Sequence, residues 1–270
     1  MLPVLFDFGP LLIPAYGAMT ALGVLLALLM AEQAGRRAGF EPGRAWNLCV
    51  LALFAALLAS RLLLVAWNWR DLQRHPMWLL GLATIHNPLL AAVGALVGLA
   101  VAMAFAHAVK TPLAAFADVL AAPLALAIGF EQIGALLAGS SYGLETTLPW
   151  AVTYTDLRAA LWSGTPLGIP LHPVQAYAAM GCFAVAVFSW VAFPLRRQVG
   201  DVAGAALLAS GAGLFVTEFF RDREGRGAIL GGALDGPQIV AVGWVLMGGW
   251  ILRERREQSG DEARKEGSNE

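Results

Sequence analysis

The sequence predicts an all-α, polytopic integral membrane protein with about seven transmembrane helices, its N-terminus outside and its C-terminus inside. Three observations predict it. Of the 270 residues, 58% are hydrophobic and only 14% charged, against about 25% charged in an ordinary soluble domain. The apolar residues gather into runs of about 20, the length that crosses a bilayer core. Basic residues are then divided unevenly between the loops that these runs define. With a mean hydropathy of +0.65, a soluble fold of this size has too little polar surface to cover its apolar residues.

The runs are justified in chain order. Leu12–Ala31 carries no charge and fits a first span. Trp46–Trp67 fits a second, interrupted only by Arg61. The stretch from Pro76 to Val109 is too long for one span, and Asn87-Pro88 divides it, because proline lacks an N–H and restricts the residue before it. Pro88–His107 is therefore the third span, and Met77–Asn87 an interfacial or re-entrant segment. Leu113–Ala138, Pro173–Leu195, Val202–Phe220 and Pro237–Leu252 follow as the remaining spans. The N-terminal residues lack the basic region of a signal peptide, so the first helix is expected to stay as an anchor.

With the N-terminus outside, the inner loops hold Arg36, Arg37, Arg44, Lys110, Arg196 and Arg197, joined by the basic residues of the tail. The outer loops hold fewer: Arg70, Arg74, Arg158, Arg221, Arg223 and Arg226. The bias supports N-out, C-in. The arginines at 221–226 run against it, which marks them for another role. Residues 1–252 form a single transmembrane domain, with an outward-facing loop region at about 139–171 that is rich in Ser, Thr, Gly and Pro. Within that region Asp156–Trp162 suits a short amphipathic helix at the interface. Residues 253–270 mix charges densely without an apolar stripe, and are expected to be a disordered cytoplasmic tail.

The net charge of −1 and the lack of a basic stripe point away from nucleic acid. Cys49 and Cys182 lie far apart in apolar segments, as small core residues rather than a disulfide or a metal pair. No metal or cofactor is expected.

A charge at mid-bilayer costs about 3 kcal/mol or more, so it needs a partner or a function. Arg61, the group Asp118, Glu131 and Gln132, the pair His86 and Asn87, and the group Glu218, Arg221 and Asp222 all fall in such places. Structural readings stand beside functional ones. Arg61 and Asp118 suit a helix-joining ion pair, His86 suits an interfacial histidine bonded to a carbonyl, and Glu218 with Arg221 has the i, i+3 spacing of a surface pair. Gly129, Gly134, Gly139 and Gly143 permit close helix contact or close approach of a ligand.

Residues 117–143, ADVLAAPLALAIGFEQIGALLAGSSYG, resemble the signature of the prolipoprotein diacylglyceryl transferase family. There an aspartate and a proline begin a helix, and a Gly-x-x-Arg-x-Gly-Asn-Phe-x-Asn-Gly-Glu run ends it. A branch of the family has Cys-Phe-x-Ala-Gly-Cys-Cys-Tyr-Gly in the second half, which Ala135–Gly143 resembles closely. Further similarities follow in order: Tyr16-Gly17, Ser60-Arg61-Leu62, Ile85-His86, Leu148–Val152, His172–Tyr177, Glu218–Arg221 and Gln238. The resemblance covers roughly residues 12 to 252. There are departures: the signature arginine is Gln132, its asparagines are Ala135 and Ala138, and its glutamate is Ser140. An arginine ahead of Glu218 is Leu214, a tyrosine is Ser210, a glutamate is Ala178, and a glycine pair is Asn87-Pro88.

The resemblance implies a multi-pass protein of the bacterial inner (plasma) membrane. It implies transfer of a diacylglyceryl group from phosphatidylglycerol, or a similar phospholipid, to the thiol of a lipobox cysteine in a prolipoprotein, with glycerol phosphate leaving. Such chemistry needs a base for a thiol of pKa about 8.5 and aimed donors or cations for a departing phosphate. His86 suits the base. Tyr16, Gln132, Ser140 and Tyr142 suit donors to phosphate or glyceryl oxygens, and Arg61 and Arg221 supply positive charge. Glu218 is placed to orient Arg221 or a substrate hydroxyl. Gly139 and Gly143 would allow close approach, and His172, Gln175 and Tyr177 would shape the entry of the fifth span. These polar groups are expected to line one outward chamber open sideways to lipid. Two other readings remain: a non-catalytic lipid- or lipoprotein-binding paralogue, to which the departures point, and a small-molecule transporter, against which the lack of inverted repeats argues.

Overall fold

The computed structural model describes residues 2–8, 11–74, 88–222 and 234–267. An antiparallel pair, β1 (Val4–Phe8) and β2 (Leu11–Pro14), leads directly into α1 (Ala15–Arg37). Then come α2 (Arg44–Trp67), the short α3 (Trp69–Arg74), α4 (Pro88–Ala108) and α5 (Leu113–Ala138). The next stretch holds β3 (Val152–Thr153), α6 (Leu157–Ser163) and β4 (Pro170–Leu171), with β3 and β4 paired antiparallel. The chain continues through α7 (Val174–Ala192), a 3-10 turn at Phe193–Leu195, α8 (Asp201–Glu218) and α9 (Gly236–Gly267).

Five of these helices, α1, α2, α5, α7 and α8, are long and apolar enough to cross a membrane, and residues 92–108 of α4 form a shorter apolar helix. Large apolar residues lie on the outside: Leu25, Leu29, Phe54, Val187, Phe188, Leu246 and Trp250 are all exposed. Alanine is the commonest buried residue, and polar residues are buried as well. This inversion of the soluble pattern is what lipid as a solvent selects, since burying leucine gains nothing there and small residues let helices approach. The protein is a helical, multi-pass membrane protein.

The chain packs as two compact units, residues 1–30 with 117–270, and residues 31–116. In the first unit, small residues set the contacts. A Cβ added to Gly134 on α5 would lie 3.0 Å from the Tyr16 carbonyl of α1. On α8 and α9, a Cβ added to Gly211 would lie 2.7 Å from the Ala241 carbonyl, and one added to Gly248 would lie 2.5 Å from the Gly204 carbonyl. In the second unit, α2 and α4 pack closely: a Cβ added to Gly94 would lie 2.7 Å from the Ala56 carbonyl, and one added to Gly98 would lie 2.9 Å from the Ala52 carbonyl. Its loop end is tied by Glu32, which accepts from Arg36 (3.1 Å) and the Gly43 amide (2.9 Å), and by a Phe40–Phe116 edge contact at 4.9 Å.

Asp118, expected to meet Arg61, has other partners. Its carboxylate accepts from the amides of Gly200 and Ala203, each at 2.8 Å, with the Arg196 Nε at 3.6 Å. The N-cap of α8 is Gly200 at φ +104°, which has no side chain to offer. Asp118 reaches across from α5 to satisfy donors that the start of α8 leaves open. The carboxylate of Asp201, the first residue of α8, turns back to the amides of Arg197 (3.1 Å) and Gln198 (2.9 Å). Arg196 is steadied over the Phe193 ring, 3.9 Å from its centroid.

Sequence and structure differ at the tail. The expected irregular stretch from Arg253 is helical as far as Gly267, a continuation of α9. Glu, Lys and Arg are strong helix formers, and Arg253 and Glu257 form an exposed i, i+4 pair at 2.8 Å. The segment expected at Met77–Asn87 lies outside the described residues; α2, α4, α5, α7 and α8 fall within about three residues of the expected limits, and α1 runs on to Arg37. Asp118→Ala would strand two buried amides and the Arg196 charge. It is expected to destabilise the protein by about 3 kcal/mol, read as a lower unfolding midpoint in detergent, with Asp118→Asn losing less; an unchanged midpoint for Asp118→Ala contradicts the cap.

Candidate functional site

The polar residues of the first unit collect where α1 and α9 begin, α5 and α8 end and α7 starts. Near the start of α1, the Tyr16 hydroxyl donates to Glu131 Oε1 at 2.8 Å, and Gln132 Nε2 donates to Glu131 Oε2 at 2.6 Å. A carboxylate inside a span is thereby held by neutral donors from two helices. The other end of the Gln132 amide, Oε1, is buried with no hydrogen-bond partner among the described residues.

Beyond Ala138 the chain leaves α5 through Gly139 (φ +84°) and Ser141 (φ +55°), left-handed conformations of which the first suits only glycine without strain. Thr165 Oγ1 stands 2.8 Å from the Gly139 carbonyl and 3.0 Å from that of Ala159. Tyr154 is buried and donates to the Leu136 carbonyl at 2.9 Å. Burial pushes its phenol up to about 12, with the neighbouring Gln175 pulling the other way, so it remains a protonated donor at neutral pH. Asp156 caps α6 by accepting from the Arg158 amide at 2.8 Å.

Residues 140–146 then run as an extended ribbon between two others. On one side Leu144 N donates to the Phe220 carbonyl (2.9 Å) and Asp222 N to the Tyr142 carbonyl (3.2 Å), with Gly143 bridged antiparallel to Arg221. On the other, His172 N donates to the Leu144 carbonyl (2.9 Å) and Thr146 N to the Pro170 carbonyl (3.0 Å). A Cβ at Gly143 would collide with the His172 carbonyl and lie 2.6 Å from Val174 Cγ2. Only glycine fits that gap.

Side chains complete the frame. Gln175 is buried at the start of α7 and donates through Nε2 to the Ser140 carbonyl at 2.7 Å. Arg221 Nη1 donates to the Ser141 carbonyl at 3.2 Å, and its Nε lies 2.8 Å from Glu218 Oε1. Side-chain exposures of 7% and 2% make this a buried ion pair rather than the surface pair its spacing allows. His172 and Tyr177 pack on Phe220, with centroids at 5.2 and 6.2 Å, and Tyr177 OH accepts from Trp150 Nε1 at 2.7 Å.

Of the residues singled out from sequence, Tyr16 and Gln132 meet at Glu131. Gly139, Ser140, Tyr142, Gly143, His172, Gln175, Tyr177, Glu218 and Arg221 belong to the ribbon and its supports. Arg61 is carried by the second unit, where its side chain is exposed. His86, Arg223 and Arg226 lie outside the described residues. Sequence reasoning gave no role to Tyr154, Thr165 or Asp235, and marked Glu131 only as costly. Its adjacency to Gln132 and its position on the Gly134 face toward α1 were the available signals.

A helical membrane protein with a buried ion pair clamped to a glycine-dependent ribbon is the class that fold and site define. The chain belongs to the prolipoprotein diacylglyceryl transferase family, whose model matches residues 3–253. It is similar to the phosphatidylglycerol–prolipoprotein diacylglyceryl transferase 2 of Clostridium perfringens, 28% identical over 92% of this chain and 93% of the relative. The enzymes of the same name from Clostridium tetani and Pectobacterium atrosepticum are 29% and 28% identical, over 82% and 91% of this chain and 86% and 90% of theirs.

Gly143→Ala is expected to force the His172 backbone aside and cost about 2 kcal/mol of stability, measured as a lower midpoint in detergent. Gly17→Ala, with nothing within 4 Å of the added carbon, serves as the control and should leave the midpoint unchanged or raise it slightly.

Proposed function

We propose that this protein moves a diacylglyceryl group from phosphatidylglycerol to the cysteine thiol of a prolipoprotein lipobox, in the bacterial inner membrane. The observation that carries the reading is the buried Glu218–Arg221 pair fixed on the Ser141–Gly143 ribbon, in a chain whose family match spans 3–253. Orientation with the N-terminus outside brings this end of the first unit to the outer leaflet, where a secreted acceptor and a lipid headgroup both have access. The loop bias in basic residues supports that orientation.

In the reaction the thiolate sulfur attacks the terminal glyceryl carbon of the diacylglycerol moiety. A C–S bond forms, the C–O bond to phosphate breaks, and glycerol phosphate leaves with the electron pair. His86 takes the thiol proton, a task matched to imidazole near neutral pH. Arg221 presents its guanidinium to the departing phosphate, as a cation that Glu218 and the Ser141 carbonyl have already oriented. Tyr142 and Ser140 contribute donors, and Arg61 adds positive charge. Tyr16 and Gln132 act through Glu131, to which each donates a hydrogen bond. His172, Gln175 and Tyr177 shape the acceptor's entry.

A second reading has one observation behind it. Glu131 puts a carboxylate beside Gln132, at the position of the family's signature arginine, which favours a lipid-binding paralogue without transfer. Purified protein in phosphatidylglycerol liposomes with a lipobox peptide separates the two. Transfer gives glycerol phosphate and a peptide heavier by a thioether-linked diacylglyceryl group. No product, while a family enzyme works beside it, overturns the enzymatic reading. His86→Ala is expected to abolish transfer with the unfolding midpoint unchanged; full activity in that variant removes His86 as the base.

A further inference from the structure

Helix α9 opens with a reciprocal cap. Gln238 N donates to Asp235 Oδ1 at 2.9 Å, and Asp235 N donates to Gln238 Oε1 at 3.2 Å. This is the capping-box arrangement, in which each side chain satisfies the other's backbone. It uses one polar atom of each side chain. Ordinarily the spare atoms face water. Here Asp235 is 2% exposed and Gln238 is fully buried, and the spare atoms, Asp235 Oδ2 and Gln238 Nε2, have no hydrogen-bond partner among the described residues. Two buried polar atoms side by side, one an acceptor and one a donor, are costly unless something fills them.

Their place in the fold says what is near. The contacts of Gly211 with Ala241 and of Gly248 with Gly204 set α8 and α9 antiparallel. That register brings Gln238 about level with Leu214 and Asp235 about level with Thr217, next to Glu218 and within a turn of Arg221. The same close helix contact keeps the cap out of solvent.

The pair of spare atoms selects a chemistry. A phosphate has no hydrogen for Asp235 and would meet its negative charge. An ammonium group would suit Oδ2 but has nothing to accept from Nε2. A hydroxyl does both: it donates to Oδ2 and accepts from Nε2, and two neighbouring hydroxyls share the pair without strain. Gln132 Oε1 and Gln175 Oε1, also buried and without partners among the described residues, are two more acceptors at this end of the unit that hydroxyl hydrogens would satisfy.

We infer that Asp235 and Gln238 form a recognition site for the vicinal hydroxyls of a glycerol headgroup, beside the Glu218–Arg221 pair. The inference rests on the proposed transfer for the identity of the lipid, and on the buried cap for the chemistry. Arg221 takes the phosphate, and the cap reads what the phosphate carries. No covalent step occurs at the cap.

The test is binding, so that it stands apart from turnover. Native mass spectrometry of the full chain in detergent is titrated with short-chain phosphatidylglycerol, phosphatidic acid and phosphatidylethanolamine, and separately with free glycerol phosphate as competitor. Two new hydrogen bonds predict a preference of about tenfold or more for phosphatidylglycerol over phosphatidic acid. Asp235→Asn keeps the oxygen that makes the cap, so its unfolding midpoint should match the parent, whereas Gln238→Glu keeps the cap but buries a second carboxylate beside Asp235 and is expected to lower the midpoint. Each is expected to bring the preference to within about twofold, with phosphatidic acid binding retained. Variants that keep the full preference overturn the site. Binding of free glycerol phosphate without discrimination among the lipids overturns the lipid assignment. Transfer that proceeds while the variants leave the preference untouched sinks this inference alone; a variant-sensitive preference in a protein without transfer sinks only the proposed reaction.

Discussion

At the end of the first unit where α5 and α8 stop, the arrangement hangs on the backbone pairing of residues 140–146 with residues 170–172 and 220–222. A ribbon of this kind solves a problem peculiar to its position. Once α5 ends, its chain must turn at the edge of an apolar bundle with its amides and carbonyls still satisfied. Pairing on both edges does so, and it draws the starts and ends of distant helices to the same few ångströms. Glu218 and Arg221 are then buried by the fold rather than by choice of neighbours. Their mutual pairing and the Ser141 carbonyl offset the cost of removing two charges from water.

The opposite end of α5 meets the same demand with one side chain. Asp118 supplies to α8 the acceptor that Gly200 lacks, so α5 is tied at one end by a carboxylate and at the other by backbone pairing. Helix α7 lies between, with Phe183 packed on Gly129 of α5 and its first turn anchored by Gln175 to Ser140. Small residues along these helices allow the approach that both ties require.

The spans were legible because their signal is local. A long apolar run, broken only by Asp118 and Glu131, announces α5 from Leu113 to Ala138, Asn87-Pro88 marks the start of α4, and Asp156 marks that of α6. The motifs that identify the family are local as well. Long-range partnership was not legible. Nothing in the sequence says that Asp118 meets Gly200 and Ala203 rather than Arg61, since both residues are charged and both lie in spans. Backbone bridges such as Gly143 to Arg221 leave no side-chain trace beyond the glycine itself. The helical continuation of α9 was hidden by reading dense charge as disorder, although its residues favour helix. The hairpin of β1 and β2 was hidden within an apolar stretch that also suits the approach to a span.

The inverted distribution of side-chain size carries a consequence for how such a chain can diverge. Outward positions such as Leu25, Phe54 and Leu246 are exposed, and acyl chains as a solvent accept oily residues of many shapes. Interior glycines such as Gly143, Gly211 and Gly248 leave no room for a Cβ. Drift is therefore channelled to the perimeter while the interior is pinned by volume. A relative at 28% identity still aligns over 92% of the chain, as a fold held by close interior contacts and a tolerant perimeter allows.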